Sequence, residues 1–297
     1  MPELPEVETV RRGLSERIVG NVVSGASSDT PKSFPNAKSD VALFLVGATV
    51  TAIRRRAKLL MIDLSTGYSL VIHLKMTGQL VHVSKDERFG AGHPNDSLIN
   101  ALPDKSTRVT LQFTDDSQLF FNDQRKFGWM RLMPTTEISE LDFMKKVGPE
   151  PLEADFTAKQ FTERFTRRGR TNIKAALLDQ SVIAGVGNIY ADESLWGAKI
   201  NPKRLTATLT PAEFELLYTE LRAVMNLSIE KGGSSNRNYV NVEGKKGSYM
   251  DFARVFRREG LPCPRCGTTI EKLRVAGRGT HICPHCQALS QSAILKG

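Results

Sequence analysis

Apolar residues recur every three or four positions at the beginning of the chain and then change to a different pattern. Val7, Val10, Leu14 and Ile18 follow helical spacing, which predicts a helix over residues 3–19. Beyond residue 41, short apolar or alternating runs are separated by turn residues, as is typical of antiparallel strands. The runs are 48–53, 59–64, 69–74, 108–113 and 118–121. We therefore expect an N-terminal helix followed by an antiparallel β-sandwich or barrel.

Helical periodicity returns in the second half of the chain. Helices are predicted at 158–167, 173–178, 189–196 and 211–230, whereas the polar residues 84–106 predict a long surface loop. These patterns divide the chain into a helix and β-sandwich domain (1–134), a linker (135–156), a helical domain (157–260) and a cysteine module (261–297). The linker and the preceding Pro134 together contain three prolines. The expected fold class is α+β with several domains.

Composition and charge narrow the class of protein. Hydrophobic residues make up 40% of the chain and no run approaches the ~18 apolar residues of a membrane helix. The first residues also lack the basic and apolar regions of a signal peptide, so we expect a cytoplasmic protein with no membrane partner. The net charge is +9, of which +8 lies in residues 151–297. A basic half beside a neutral one indicates a nucleic-acid partner, although a solvated basic surface has the same composition.

The four cysteines, Cys263, Cys266, Cys283 and Cys286, form two Cys-x2-Cys pairs separated by sixteen residues. This spacing is typical of a structural zinc site with four thiolate ligands. Two disulfides are the alternative, which a reducing cytoplasm disfavours. We predict one structural Zn²⁺ ion.

Pro2 and Glu3 offer chemistry at the beginning of the chain. Once an initiator methionine is removed, a proline carries a secondary amine that can attack a sugar carbon and form an iminium ion, much as lysine forms a Schiff base. Glu3 is then placed to act as an acid or base. By themselves these residues are also typical of an ordinary helix start.

The longer segment MPELPEVETVRRG (1–13) closely resembles the beginning of the formamidopyrimidine-DNA glycosylases, the bacterial 8-oxoguanine DNA glycosylase and AP lyase family. Further segments match the same family in order through nearly the whole chain. They are RRRAKLL (54–60), HLKMTG (73–78), NDQRKFG (122–128), GVGNIYADE (185–193) and the cysteine module, which resembles the family's β-hairpin zinc finger. The resemblance implies a helix–two-turn–helix motif at 177–193.

The resemblance also implies roles for individual residues. Pro2 would be the nucleophile, Glu3 an acid or base, Lys58 a contact to the phosphate of the damaged nucleotide, and Glu6 a supporting carboxylate. The remaining implied positions bind DNA. They are Met76, Arg125 and Phe127, which fill the space left by the everted nucleotide, with Arg125 hydrogen-bonded to the partner cytosine; Arg170, Asn188 and Arg278; and Ser234, Ser235, Arg237 and Tyr239 in a loop that covers the lesion.

The chain departs from the family pattern at three places. Ser106 stands where many members have a histidine that contacts phosphate, which puts that contact in doubt. The predicted loop 84–106 is longer than usual, and His281 occupies a position where an aromatic residue is common. None of these differences touches Pro2, Glu3 or Lys58.

The family resemblance implies a monomeric, bifunctional glycosylase and AP lyase of base excision repair that acts on oxidised purines in double-stranded DNA. Two alternatives remain open. A relative specific for oxidised pyrimidines, like endonuclease VIII, is disfavoured by Leu4, by Glu8-Thr9-Val10 and by the set Met76, Arg125 and Phe127. A non-catalytic zinc protein that binds DNA would account for the charge and the cysteines, but it does not require Pro2 and Glu3.

Overall fold

The computed structural model describes residues 1–234 and 248–289, which form two compact units. The first contains Met1–Lys145 and the described residues of Lys231–Ser248; the second contains Lys146–Glu230 and the described residues from Tyr249 onward. None of the described helices is long and apolar enough to cross a membrane.

The first unit begins with helix α1 (Leu4–Ile18), as predicted. Pro5 lies in its first turn, where a proline leaves no hydrogen bond unmade. The four apolar residues at helical spacing are at most 1% exposed. They join buried side chains from both sheets of this unit in one core.

Its described residues also form nine antiparallel strands and a short helix α2 (Lys38–Asp40). A five-stranded sheet has the order β1-β7-β8-β5-β6, and a four-stranded sheet has the order β2-β3-β4-β9. The expected β-sandwich is therefore confirmed. The strands are β1 (Val23–Ser28), β2 (Val50–Arg56), β3 (Leu59–Leu64), β4 (Tyr68–His73), β5 (Gly78–Val83), β6 (Arg88–Gly92), β7 (Thr107–Phe113), β8 (Gln118–Asp123) and β9 (Trp129–Pro134).

Part of the segment 84–106 is regular, contrary to the prediction of a long loop. Strand β6 is an edge strand on β5, and a 3₁₀ turn follows at Asp96–Leu98. Gly90 and Gly92 interrupt the alternation of apolar and polar side chains by which a strand is predicted, but the backbone hydrogen bonds of a strand do not depend on its side chains. Phe89 packs where a Cβ on Gly13 of α1 would lie 2.1 Å from its ring, so the glycine makes room for this strand.

The predicted linker contains a 3₁₀ helix (Thr135–Glu140) and helix α3 (Asp142–Lys146). The described part of the second unit has four α-helices, which lie close to their predicted positions: α4 (Ala158–Thr166), α5 (Ile173–Leu178), α6 (Asn188–Gly197) and α7 (Pro211–Glu230). Strands β10 (Glu271–Val275) and β11 (Arg278–Ile282) form a hairpin between the two cysteine pairs. Ala276 and Gly277 at its turn have φ of 49° and 74°, which suits the twist of a two-residue hairpin.

Candidate active site and nucleic-acid interface

The first turn of α1 contains two buried carboxylates, those of Glu3 and Glu6. Pro2, Glu3 and Glu6 are all buried. Glu6 Oε2 accepts a hydrogen bond of 2.8 Å from the backbone N–H of Glu3, and Glu6 Oε1 accepts two of 2.8 Å from the N–H and hydroxyl of Ser234. Glu6 thereby fixes the backbone next to Pro2 and joins it to the described beginning of the segment 231–248.

The Glu8 carboxylate joins α1 to the end of β2 through Arg55. Glu8 Oε2 accepts from Arg55 Nε at 3.0 Å, and its carboxylate also binds Arg11 and Arg12. Burial raises the pKa of Glu8, but the hydrogen bonds from the three arginines outweigh it and lower the pKa to about 2. The turn that follows Arg55 and Arg56 contains Lys58, which is 5% exposed.

The structure places His73, to which the sequence analysis gave no role, close to Lys58. It ends β4 and pairs with Leu59, which directly follows Lys58. Its Nδ1 accepts from the backbone N–H of Lys75 at 3.0 Å, which leaves the ring proton on Nε2. Burial and the nearby Lys75 and Lys58 lower its pKa to about 3, so the ring is neutral at physiological pH. The sequence signal for His73 was its place at the start of the family-like segment HLKMTG (73–78), at the end of a predicted strand.

Met76, Arg125 and Phe127 lie on two turns at the same end of the sandwich. One turn connects β4 to β5 and the other connects β8 to β9. Both connect the two sheets, and they lie side by side because β5 pairs with β8 and β4 with β9. Met76 is 36% and Phe127 is 45% exposed, and the Arg125 guanidinium stands 4.6 Å from the centre of the Phe127 ring.

Ser106 lies near this end of the sandwich, but its side chain is directed inward. Its hydroxyl donates to Asp104 Oδ1 at 2.7 Å, and the residue is 2% exposed. The side chain at this position is therefore part of the protein interior.

The second unit contains the predicted helix–two-turn–helix residues. Gly185, between α5 and α6, has φ of 76°, which favours glycine, while Gly187 is extended and precedes α6. The Asn188 amide at the start of α6 donates to the Gly279 carbonyl of the hairpin at 2.9 Å. Arg170 is exposed before α5, and Arg278 is exposed directly after the hairpin turn.

The hairpin is joined to both helices of this motif through a buried ion pair. Lys174 of α5 and Asp192 of α6 are 0% and 1% exposed, and Lys174 Nζ lies 2.6 Å from Asp192 Oδ1. The ammonium also donates to Thr280 Oγ1 at 2.7 Å and to the Gly279 carbonyl at 3.1 Å. Asp192 Oδ2 accepts from the N–H of His281 at 2.9 Å. These contacts fix the strand that follows Arg278.

The four cysteine sulfurs converge at the base of the hairpin. They lie within 4.8 Å of one another, with Sγ···Sγ distances of 3.4 Å (Cys266–Cys286), 3.5 Å (Cys266–Cys283) and 4.0 Å (Cys263–Cys286). Four ligands ~2.3 Å from a tetrahedral zinc ion are about 3.8 Å apart, so the arrangement fits one Zn²⁺ with no open position. The predicted zinc site is confirmed by this fit and by the family match below.

The structure therefore groups the predicted residues in two sets. Pro2, Glu3, Glu6, Lys58, Met76, Arg125, Phe127 and Ser234 belong to the first unit; Arg170, Asn188, Arg278 and the four cysteines belong to the second. Ser235, Arg237 and Tyr239 lie outside the described residues.

Family models match three segments of the chain. The formamidopyrimidine-DNA glycosylase N-terminal domain matches residues 1–130, the H2TH domain of the same enzyme matches 147–239, and the zinc finger found in FPG and IleRS matches 260–289.

Similar proteins match nearly the whole length of this chain. The formamidopyrimidine-DNA glycosylase of Pediococcus pentosaceus is 42% identical over 289 residues, which cover 97% of this chain and 100% of that protein. That of Pelotomaculum thermopropionicum is 41% identical, with 97% and 99% covered. Among solved structures, the Lactococcus lactis Fpg complex with DNA containing an abasic site has a TM-score of 0.83 at 37% identity, and MutM in complex with DNA containing carbocyclic 8-oxo-G has 0.82 at 35%. Each covers 97% of this chain and 100% of the other.

Proposed function

This chain belongs to the formamidopyrimidine-DNA glycosylase family, and from that premise we propose that it excises oxidised purines from duplex DNA and then cleaves the strand at the resulting abasic sugar. The substrates are 8-oxoguanine and ring-opened formamidopyrimidines. The observation that carries the proposal is the buried first turn of α1, where Pro2 is followed by the buried carboxylates of Glu3 and Glu6, and where Glu6 is held by the Glu3 N–H and by Ser234.

The proposed reaction begins when Pro2, freed of Met1, uses its amine lone pair to attack C1′ of the damaged nucleotide. The bond between C1′ and the base breaks, and the base leaves with a proton. Ring opening of the sugar gives an iminium ion between C1′ and the proline nitrogen. That cation acidifies the C2′ proton, so successive β- and δ-elimination break the C3′–O and C5′–O bonds.

Glu3 and Glu6 have different parts in this scheme. Glu3 adjoins the nucleophile and is proposed to move protons at the sugar oxygen. Glu6 is proposed as a positioning residue, because both of its oxygens are occupied by Glu3 and Ser234.

Lesion extrusion is assigned to the two exposed turns. Unstacking a base costs a few kcal/mol, and apolar side chains that enter the vacated space offset that cost. Met76 and Phe127 are exposed and apolar, and Arg125 can donate to the cytosine left without a partner.

Phosphate binding is assigned to Lys58 and His73 in the first unit and to Arg170, Asn188 and Arg278 in the second. The neutral His73 ring donates from Nε2 without a charge, whereas the lysine and arginines displace counterions. Zinc has a structural part, in which it holds the base of the hairpin that carries Arg278. Affinity should fall steeply as salt rises, with a smaller slope in Arg278→Ala.

The deciding test is borohydride trapping on a duplex with 8-oxoguanine opposite cytosine, using protein whose Met1 is shown by mass spectrometry to be removed. A matched variant carries one additional residue before Pro2, which converts the amine into an amide. We expect a covalent adduct with the first protein alone. Adducts with both would assign the nucleophile to a lysine, Lys58 first. Tight binding with no adduct from either would favour a DNA-binding protein without catalysis.

The same assay measures lesion preference. A Lactococcus lactis Fpg has been solved with DNA containing an oxidised pyrimidine, so thymine glycol is the appropriate competitor. Faster excision of 8-oxoguanine is expected, and the reverse order would favour the oxidised-pyrimidine enzyme.

A further inference from the structure

The two turns that carry Met76, Arg125 and Phe127 share one buried carboxylate. Asp123 is the last residue of β8 and is 0% exposed. Its Oδ1 accepts from the Thr77 hydroxyl on the first turn and from the Arg125 N–H at 3.2 Å on the second. Its Oδ2 accepts from the Gly128 N–H at 2.6 Å. One side chain therefore receives donors from both turns.

Thr77 links the turns a second time. Its Oγ1 accepts from the backbone N–H of Arg125 at 3.1 Å while it donates to Asp123. The backbone of Asp123 is fixed as well: its N–H donates to the Ser106 carbonyl at 2.8 Å, and its carbonyl accepts from Arg108 Nε at 2.9 Å. The Arg108 guanidinium in turn lies 2.6 Å from Asp29, so the backbone that carries the carboxylate is tied to β7 and, through it, to Asp29.

Both turns also have backbone geometry that needs support. Lys75 and Lys126 have φ of 51° and 56°, in the left-handed region that residues with a Cβ disfavour. Such conformations persist where surrounding contacts determine them, and they concentrate at functional sites. A Cβ at Gly128 would lie 3.1 Å from Asp123 Oδ2 and 2.8 Å from the Phe121 ring, so the second turn closes directly over the carboxylate.

From this geometry we propose that Asp123 is a positioning residue for lesion extrusion. It holds the two turns in one arrangement, so that Met76, Arg125 and Phe127 enter the duplex together. The inference rests on the proposed function, but it concerns a fully buried residue outside the proposed catalytic and DNA-binding set. Its consequence is selective: extruding a stacked base needs the three side chains in register, whereas an abasic nucleotide has no base to unstack.

The experiment compares Asp123→Asn with Asp115→Asn. Asp115 lies in the turn before β8 and likewise orders its turn, by accepting from the N–H and hydroxyl of Ser117, but it is at the opposite end of the strand. Asparagine keeps one acceptor at position 123 and directs an NH₂ group at a donor, so one turn must lose its contact. Single-turnover excision of 8-oxoguanine opposite cytosine, and cleavage of a preformed abasic site, are measured for each folded variant.

We expect Asp123→Asn to slow excision by about tenfold to a hundredfold, as misplaced groups do, and abasic-site cleavage by less than about threefold. The preference for cytosine over adenine opposite the lesion should also fall, because Arg125 loses its orientation. Asp115→Asn should leave both rates near those of the parent.

Equal losses on both substrates, or an unchanged excision rate, would overturn the inference. If Asp123→Asn does not fold, Thr77→Val removes the link between the turns and leaves the contact to Gly128 in place; it should show the same selective loss, smaller in size, and its absence would refute the proposal. Failure of the proposed function is distinguishable, because the parent protein itself would then give no excision and no borohydride adduct.

Discussion

The buried pair of Lys174 and Asp192 allows a quantitative test of how the zinc hairpin is held. In Lys174→Met the stem of the side chain is kept, so little volume is lost, but the Asp192 carboxylate loses the cation 2.6 Å away. Both residues are at most 1% exposed, and removing one partner of such a pair costs about 3–5 kcal/mol because the other charge remains buried. We expect the free energy of unfolding to fall by that amount.

Lys272→Met is the matched control, because Lys272 lies on the same hairpin and pairs with Glu259 at 3.0 Å while 52% exposed. Solvent screens this pair, so its loss should cost less than about 1 kcal/mol. The assay is urea denaturation with zinc present. The double variant Lys174→Met with Asp192→Asn should recover much of the loss, since no uncompensated charge remains. A cost for Lys174→Met no greater than that of the control would refute the reasoning.

Three further predictions concern α1, the zinc site and the first exposed turn. The pKa of Glu8 is about 2 in the fold against an ordinary 4.5, so the free energy of unfolding should fall as pH decreases from about 4.5 towards 2. In the Glu8→Gln variant, urea denaturation at a series of pH values should show a decrease that is smaller by about 1–2 kcal/mol, after allowance for solvent screening. Chelation of zinc should lower the affinity for duplex DNA, measured by fluorescence anisotropy, and re-addition should restore it. Gly78→Ala would bring a Cβ to 2.4 Å from the Leu74 carbonyl oxygen, so calorimetry should show a fall in thermal stability. Gly67→Ala is the control: its added Cβ meets no atom within 4 Å, and only the backbone φ of 77° disfavours the substitution.

Local signals in the sequence predicted the elements that depend on local patterns. The period of apolar residues predicted α1, and the cysteine spacing predicted the zinc site, because both are properties of a few neighbouring residues. Strand β6 was missed, since its pairing with β5 uses backbone groups that glycines also supply. The contact of Lys174 with Asp192 and Thr280, and that of Asp123 with Thr77, join residues 18 to 106 positions apart. No local pattern indicates such a contact before the strand order and register are known.

The exposure of Met76 and Phe127 follows from what the fold does elsewhere with apolar side chains. The sandwich buries apolar residues of α1 and both sheets almost completely. Met76 and Phe127 instead lie on two turns that are tied to the buried Asp123 carboxylate through Thr77 and Gly128. A rigid backbone beneath an exposed apolar side chain contributes little to folding, but it reduces the conformational entropy that is lost when the side chain is inserted into a binding partner. Aromatic stacking on a base contributes about 1–3 kcal/mol, which is comparable with the few kcal/mol needed to unstack one. In the proposed function, the apolar area that Met76 and Phe127 keep out of the core offsets the extrusion of a base, and the hydrogen-bonded turns give these side chains a fixed support.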